Sequence, residues 1–321
     1  MNGDLCCLRD EMKCSVRNAF AVGTKKNLKT QWKSFLLFCN FYELEALPCS
    51  VQTLCLFCQF LSRSFNSTES IRNYVNGVKC LHLLLDLEFP HLDSFYFKLF
   101  FKGLRRVNPH EIKSALPITP QILLNIYDIL DFHDKNHTTY WCLFLFAFFL
   151  MCRKSNLVGT VEDPSKCLKR KDVQVKKEFL LVNFCWSKTI QFGERTLVIP
   201  LVSNSSSPLC PYAAYVAMTN KFAVSSQSPA FVVKSNGTLK QVTYNMFNSF
   251  LKACITNIGL DPNSFSTHSF RRGGATWAFK CGVSSDLIQL QGDWKSSAYK
   301  LYLSYSLDDK LVVAQKMMSK C

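Results

Sequence analysis

The run from Tyr140 to Cys152 constrains this chain more than any other segment. It is thirteen residues of nearly unbroken apolar character, closed by Arg153 and Lys154. A bilayer takes about twenty apolar residues to cross, so the run suits a helix buried in a protein core and implies no membrane. A helix that is apolar all round must be surrounded by other elements, and the second half of the chain has to be built about it. The material is there. Of 321 residues, 48% are hydrophobic, which excludes wholesale disorder, and the length allows two domains of ordinary size.

Residues 14–107 read as a helical unit. Between Lys25 and Phe41, the residues Leu28, Trp32, Phe35, Leu36 and Cys39 fall at helical spacing. Ser50 opens a second helix through Phe60, Ser67 a third to about Leu85, and Ser94 a fourth to Val107. Pro109 and Pro117 bracket a polar stretch, so residues 108–119 read as a linker. Thr119-Pro120 then starts a second domain, 120–321. Its spacing predicts helices over Pro120–Phe132 and Thr138–Arg153. Three short runs follow, Asp172–Val175, Phe179–Phe184 and Arg195–Pro200, rich in β-formers and separated by turn signals. Helices return from Pro211, separated by the Ser/Asn-rich segments 203–207 and 224–237. The expected fold class is therefore mainly α with a small antiparallel β-sheet.

Charge narrows the partner. Lysine and arginine number 38 against 23 acidic residues, giving +15, of which +5 lies in residues 1–110 and +10 in the remainder. Positive charge on both halves fits a protein that holds a polyanion between two lobes. Lys25, Lys29, Lys33, Arg72, Lys79, Arg105 and Arg106 are the candidate contacts to a DNA backbone, although scattered lysines also suit an ordinary solvated face. The sixteen cysteines do not make a zinc or disulfide framework. Cys39, Cys55, Cys58, Cys80, Cys142, Cys152 and Cys185 sit inside apolar runs, and Cys55–Cys58 has no second pair to complete four ligands. No basic-then-apolar leader opens the sequence, so a reducing intracellular compartment is expected. The basic run Lys166–Lys171 suits either nuclear import or contact with DNA phosphates.

The chemistry concentrates in His268-Ser269-Phe270-Arg271-Arg272-Gly273-Gly274-Ala275-Thr276, followed by Gly292-Asp293-Trp294 and by Tyr299, Tyr302 and Tyr305. A histidine and an arginine three residues apart share a helical face. Together they can grip a phosphate, the arginine with its two-pronged fork and the histidine with a ring N–H. A tyrosine one element downstream supplies a hydroxyl nucleophile.

Read in chain order, Arg153, Lys188, His268, Arg271, Trp294 and Tyr302 resemble the catalytic set of the tyrosine recombinases, the phage-integrase family. The wording of residues 268–276 and 292–303 is most similar to the recombinases of eukaryotic mobile elements such as Cryptons and the DIRS or Ngaro elements. The resemblance extends over most of the chain. It implies an N-terminal helical core-binding (SAM-like) domain and an α+β catalytic domain. It also implies a homo-tetramer assembled on double-stranded DNA, with no cofactor, no metal and no small-molecule substrate. Arg153, Arg271 and Trp294 would hold the scissile phosphate, Tyr302 would attack it, Lys188 would protonate the departing 5′-oxygen, and His268 would assist the tyrosine proton or the phosphate. The family's C-terminal docking helix would fall on residues 308–319.

Three departures accompany the match. Trp294 and Tyr302 are eight positions apart where many bacterial and phage relatives use nine, so Tyr299 and Tyr305 remain alternatives. Asn156 stands where many relatives have an acidic residue, and Arg272 where many have histidine. A type IB topoisomerase-like enzyme shares the same chemistry in a monomer, and a captured non-catalytic DNA-binding protein would keep the same residues.

Overall fold

The computed structural model describes residues 2–109, 115–159, 166–190 and 192–303, with Leu311, Gln315 and Met318 beyond them. The chain divides into two compact units, Met1–Lys113 and Ser114–Cys321. In the first, the described elements are helices: α1 (Asn2–Asn18), α2 (Val22–Phe41), α3 (Val51–Leu61), α4 (Thr68–Leu84) and α5 (Phe95–Val107). Helix thus begins well before residue 14. Side-chain caps satisfy N–H groups that a first turn leaves without helical partners: Ser50 Oγ accepts from Thr53 N at 3.0 Å, and Ser94 Oγ from Phe97 N at 3.4 Å. Phe35, Leu54, Phe57, Cys58, Ile71, Val75 and Val78 form the centre of this unit's core. Helices α2 and α4 pass closely enough for Trp32 Nε1 to donate to the carbonyl of Gly77 at 2.8 Å. Burial pushes the Cys55 thiol up to about 11 and that of Cys58 higher still, so this pair fills core space as neutral thiols.

The second unit is arranged around the apolar run. Its elements are α6 (Pro120–Ile129), α7 (Lys135–Phe149), α8 (Lys154–Leu157), β1 (Val173–Val175), β2 (Phe179–Phe184), β3 (Leu197–Val202), α9 (Pro211–Lys221), β4 (Val232–Ser235), β5 (Thr238–Gln241), α10 (Tyr244–Asn257), α11 (His268–Lys280) and α12 (Ser285–Gln291). Every residue of α7 from Thr138 to Phe148 is buried, because α9, α11 and β4 pack around it. Strands β1-β2-β3 form an antiparallel sheet in which Val182 pairs with Val173 on one side and Ile199 on the other. Leu180, Val182 and Phe184 alternate inward, the period-two pattern of a half-buried strand.

Three differences from the sequence expectation bear on the site. First, the helix expected to run to Arg153 stops at Phe149. Met151 adopts a left-handed conformation with φ 47°, and Arg153 becomes the residue that precedes α8. A non-glycine residue there is strained, so the surrounding packing must hold it. Second, the later part of the stretch read as a linker belongs to the second unit. Leu116 N donates to Ser264 O at 2.8 Å, Ile118 N donates to Ser269 O at 3.0 Å, and Ile118 is fully buried. Third, β4 and β5 form a hairpin inside and just beyond the segment read as a Ser/Asn-rich connection. Its turn is Asn236-Gly237, both at positive φ, which is the signature of a tight hairpin turn. The Asn136 side chain holds this hairpin to the start of α7, exchanging two hydrogen bonds with the Lys234 backbone at 3.0 and 2.8 Å.

Helix α11 meets neighbouring backbone through a pair of glycines, Gly274 against the end of α7 and Gly273 against the segment before α6. A Cβ on Gly273 would lie 1.8 Å from the carbonyl oxygen of Ile118, and one on Gly274 would lie 2.1 Å from that of Phe148. Gly274→Ala must push two backbones apart and is expected to cost at least about 1–3 kcal/mol, the usual range for overpacking. Gly103→Ala in α5, where a Cβ meets nothing within 4 Å, is expected to raise stability by about 0.4–1 kcal/mol. Urea unfolding followed by circular dichroism measures both.

Candidate active site

The glycine contact brings α11 against the break that follows α7, and the site forms there. Arg271 is buried at 2% exposure, and its Nη1 donates to the carbonyl oxygen of Met151. That carbonyl lies beyond the end of α7 because the left-handed turn has ended the helix. The Arg271 guanidinium also lies over the Trp294 ring, 3.8 Å from its centroid. A buried guanidinium is costly without partners, and the carbonyl and the aromatic face offset part of that cost. Trp294 can lie flat against its own chain because residue 292 is glycine: a Cβ there would sit 1.7 Å from a ring carbon. Its backbone is fixed by two bonds with Gln289, each 3.1 Å. Trp294 then packs with Met151, Ala275, Ile288 and Tyr299 in a separate small core.

His268 is the first residue of α11 and keeps more than a third of its surface open. Its ring nevertheless sits in a recess of protein atoms ringed by cations. Desolvation, with the charges of Arg271, Lys154, Arg153 and Arg272, lowers its pKa to about 4. The imidazole is therefore neutral at pH 7. Arg153 is half-buried at the start of α8. The next residue, Lys154, lies over the Tyr244 ring at 3.1 Å from its centroid, and burial lowers its pKa. The recess thus combines several fixed cations with one neutral imidazole, an arrangement that can hold a single oxyanion from several sides and take up a proton beside it.

Lys188 occupies the exposed tip of a turn between β2 and β3. Ser187 and Ile190 exchange two backbone hydrogen bonds of 3.1 Å across it. This turn is tied to the Trp294 segment by Asp293. The Asp293 carboxylate accepts from Ser187 Oγ at 3.2 Å, from Thr189 Oγ1 and from Arg195 Nη2. Burial alone would raise the Asp293 pKa, but bonds from Thr189, Arg195 and Ser187, with the Arg195 charge, outweigh it and leave it lowered. Sequence reading missed Asp293 and met Arg195 only as the first residue of a β-forming run. The one signal was the Gly-Asp-Trp triplet, and nothing in its spacing says that the aspartate reaches a turn about a hundred residues upstream.

Tyr302 ends a 3-10 turn, Ser297–Tyr302, whose backbone packs on α11 and α12. Tyr299 in the same turn is buried at 3% exposure, with its ring centroid 6.0 Å from that of Trp294. It is committed to packing. Tyr305 and nearly all of the expected helix over 308–319 lie outside the described residues. In the first unit, Lys25, Lys29 and Lys33 form an exposed stripe on α2, and Lys79 is exposed on α4. Arg72, Arg105 and Arg106 instead come together, with Lys98 and Lys102, around one cavity of about 500 Å³. There Arg72 lies over Phe101 and Arg105 pairs with Glu69.

No family model matches the sequence, and no curated protein does. Solved structures do. The Tn1549 transposon integrase in complex with circular intermediate DNA is 14% identical over 95% of this chain and 97% of that chain, with a TM-score of 0.62. The lambda integrase dimer bound to a COC′ core site is 14% identical over 90% and 94%, with a TM-score of 0.54. The XerH site-specific recombinase bound to difH substrate is 13% identical over 87% and 75%, with a TM-score of 0.52. At these identities the likeness is one of fold: the chain has the tyrosine-recombinase fold.

The electrostatics of the recess generate a pH test. In the folded protein His268 is expected to titrate near 4, against about 6.5 for an unfolded histidine. The unfolded chain then binds the extra proton between those values. The contribution of neutral His268 to stability is complete above about pH 6.5 and is lost as pH falls towards 4. NMR titration of the His268 ring should read a midpoint near 4 in the free protein. An anionic ligand in the recess should move that midpoint upward.

Proposed function

We propose that this chain is a DNA strand-exchange enzyme that cuts and rejoins DNA through a covalent 3′-phosphotyrosyl intermediate. The observation that carries the reading is the convergence of Arg153, His268, Arg271 and Trp294, from three separated chain segments, on one recess beside the turn that ends in Tyr302. The fold shared with integrases and recombinases solved on DNA supports it. So does the net charge of +15.

In this reading the scissile phosphate enters the recess with its non-bridging oxygens towards Arg153 and Arg271. These forks stabilise the extra negative charge of the pentavalent transition state. Trp294 contributes its indole N–H, besides stacking on Arg271. Tyr302 Oη attacks phosphorus as the P–O5′ bond breaks, which conserves the energy of the linkage in the new ester. Neutral His268 is in the right protonation state to take the tyrosine proton. Lys188 gives a proton to the departing 5′-oxygen. Rejoining is the same sequence reversed, with a 5′-hydroxyl as nucleophile.

The proposal extends to setting. The wording of residues 268–276 and 292–303 favours an enzyme of a eukaryotic mobile element, of Crypton or DIRS/Ngaro type, working in the nucleus. Two paired sites exchanged by four tyrosines would require a homo-tetramer on DNA. The first unit would act as the core-binding domain, with Arg72, Arg105 and Arg106 as backbone contacts from one cavity and Lys25, Lys29, Lys33 and Lys79 from two helix faces.

Three experiments test this. Nicked duplexes tiling the DNA that borders the chain's own coding sequence should trap a protein–DNA adduct, seen on a denaturing gel, that disappears in Tyr302→Phe. Persistence in that variant with loss in Tyr305→Phe would move the nucleophile. Relaxation of supercoiled plasmid by monomers without site preference would favour a topoisomerase. For the first unit, Arg72→Gln with Arg106→Gln should reduce the slope of log affinity against log salt by roughly 2, since each lost phosphate contact removes about 0.9.

A further inference from the structure

Three donors converge on Asp293, the hydroxyls of Ser187 and Thr189 in the Lys188 turn and the guanidinium of Arg195 further along the same loop. Ser187 is fully buried and Asp293 nearly so, whereas Lys188 between Ser187 and Thr189 is exposed. The carboxylate therefore grips both residues that flank the lysine. The turn is also tightened from within. Ser187 Oγ accepts from Thr189 N and from Ile190 N, each at 3.1 Å, and meets Thr189 Oγ1 at 2.8 Å. Arg195, at the return of the same loop, brings the third donor. At its other end the clamp is rigid. Asp293 has φ 55°, Asp293 N donates to Leu290 O at 3.1 Å, and Trp294, the next residue, lies under the Arg271 guanidinium.

We propose that Asp293 is a positioning residue. By binding Ser187, Thr189 and Arg195 together, it holds the Lys188 turn against the segment that carries Trp294, so that the lysine is poised at the leaving 5′-oxygen. The inference rests on the strand-exchange reading above. Asp293 does not touch the reacting atoms and acts through Lys188. The step it serves balances: the Tyr302 oxygen bonds to phosphorus and its hydroxyl proton passes to neutral His268, the P–O5′ bond breaks, and the Lys188 ammonium proton passes to O5′, leaving a 5′-hydroxyl and a neutral amine. If that oxygen is replaced by sulfur, the leaving group is a thiolate with a pKa near that of cysteine, about 8.5, and it departs without a proton donor.

This difference separates positioning from general structural damage. Adduct formation is measured on two nicked duplexes, one with an ordinary phosphodiester and one with sulfur bridging at the cleaved phosphate. Asp293→Asn is expected to slow the ordinary substrate by about 10²-fold or more, the lower end of what a placed general acid contributes. It should leave the sulfur substrate within a few-fold of wild type, as Lys188→Ala should. The double variant Thr189→Val with Arg195→Gln removes two donors from the turn without altering the Trp294 segment. It should show the same selectivity, and it decides the matter if Asp293→Asn does not fold. Equal slowing on both substrates would mean that Asp293 acts through Arg271, Trp294 or the fold, and would overturn the proposal. So would unchanged cleavage of the ordinary substrate. No adduct from the wild-type chain on any duplex would instead overturn the strand-exchange reading, and this inference with it.

Discussion

A guanidinium removed from water sets the terms for the second unit. Arg271 is 2% exposed, and its partners include a main-chain carbonyl and the face of an indole. Neither of these two groups carries a formal charge, so neither neutralises the guanidinium. Burying such a group is tolerable only if its partners are held rigidly. The left-handed Met151, the two glycines of α11 and Gly292 each serve that end. The first supplies the carbonyl, the pair lets α11 come close enough to use it, and the third lets the indole lie flat. Preorganised charge of this kind does not have to be assembled when a phosphate arrives.

Much of this was legible in the sequence where one-dimensional periodicity carries the information. The run Tyr140–Cys152 read as a core helix because it is too short and too apolar for anything else, and α7 is buried along most of its length. The β1-β2-β3 sheet followed from β-branched runs between turn signals, within two residues at each end. The nearness of His268 and Arg271 on α11 was also readable, since it depends only on their three-residue spacing. The helix end at Phe149 was not, because no proline or glycine marks it. The end coincides with a tertiary contact to α11, which one-dimensional periodicity does not carry. The β4–β5 hairpin was missed for the opposite reason: Asn236-Gly237 is a strong turn signal, but it was read as part of a polar connection. Asp293 lay beyond reach because its partners are about a hundred residues away in the chain.

Electrostatically the site is built by exclusion as much as by attraction. His268 is kept neutral by desolvation and by the cations Arg271, Lys154, Arg153 and Arg272, whereas Asp293 is kept charged by the donors gathered on it. His268 feels the charge of the arginine, and Asp293 is the chain neighbour of the tryptophan, in the same arginine–tryptophan stack. One is a neutral imidazole, and the other is a carboxylate taken up by the donors of a loop. Such a division lets one small region contain both a base and a carboxylate without the two competing.

The burial of Tyr299 beneath Trp294 has a mechanical consequence. The 3-10 turn ends only three residues later, at Tyr302. Tyr299 is therefore an anchor bolt for a very short arm. Thermal motion of the arm's tip is limited by the few backbone dihedrals between the two residues, and a larger swing requires an aromatic ring to be drawn out of the pocket it shares with Met151, Ala275 and Ile288. The same indole that stacks on Arg271 also bears on that bolt. Displacing the arm thus loosens the arginine's support, so the 3-10 turn and the buried guanidinium are mechanically linked through one indole.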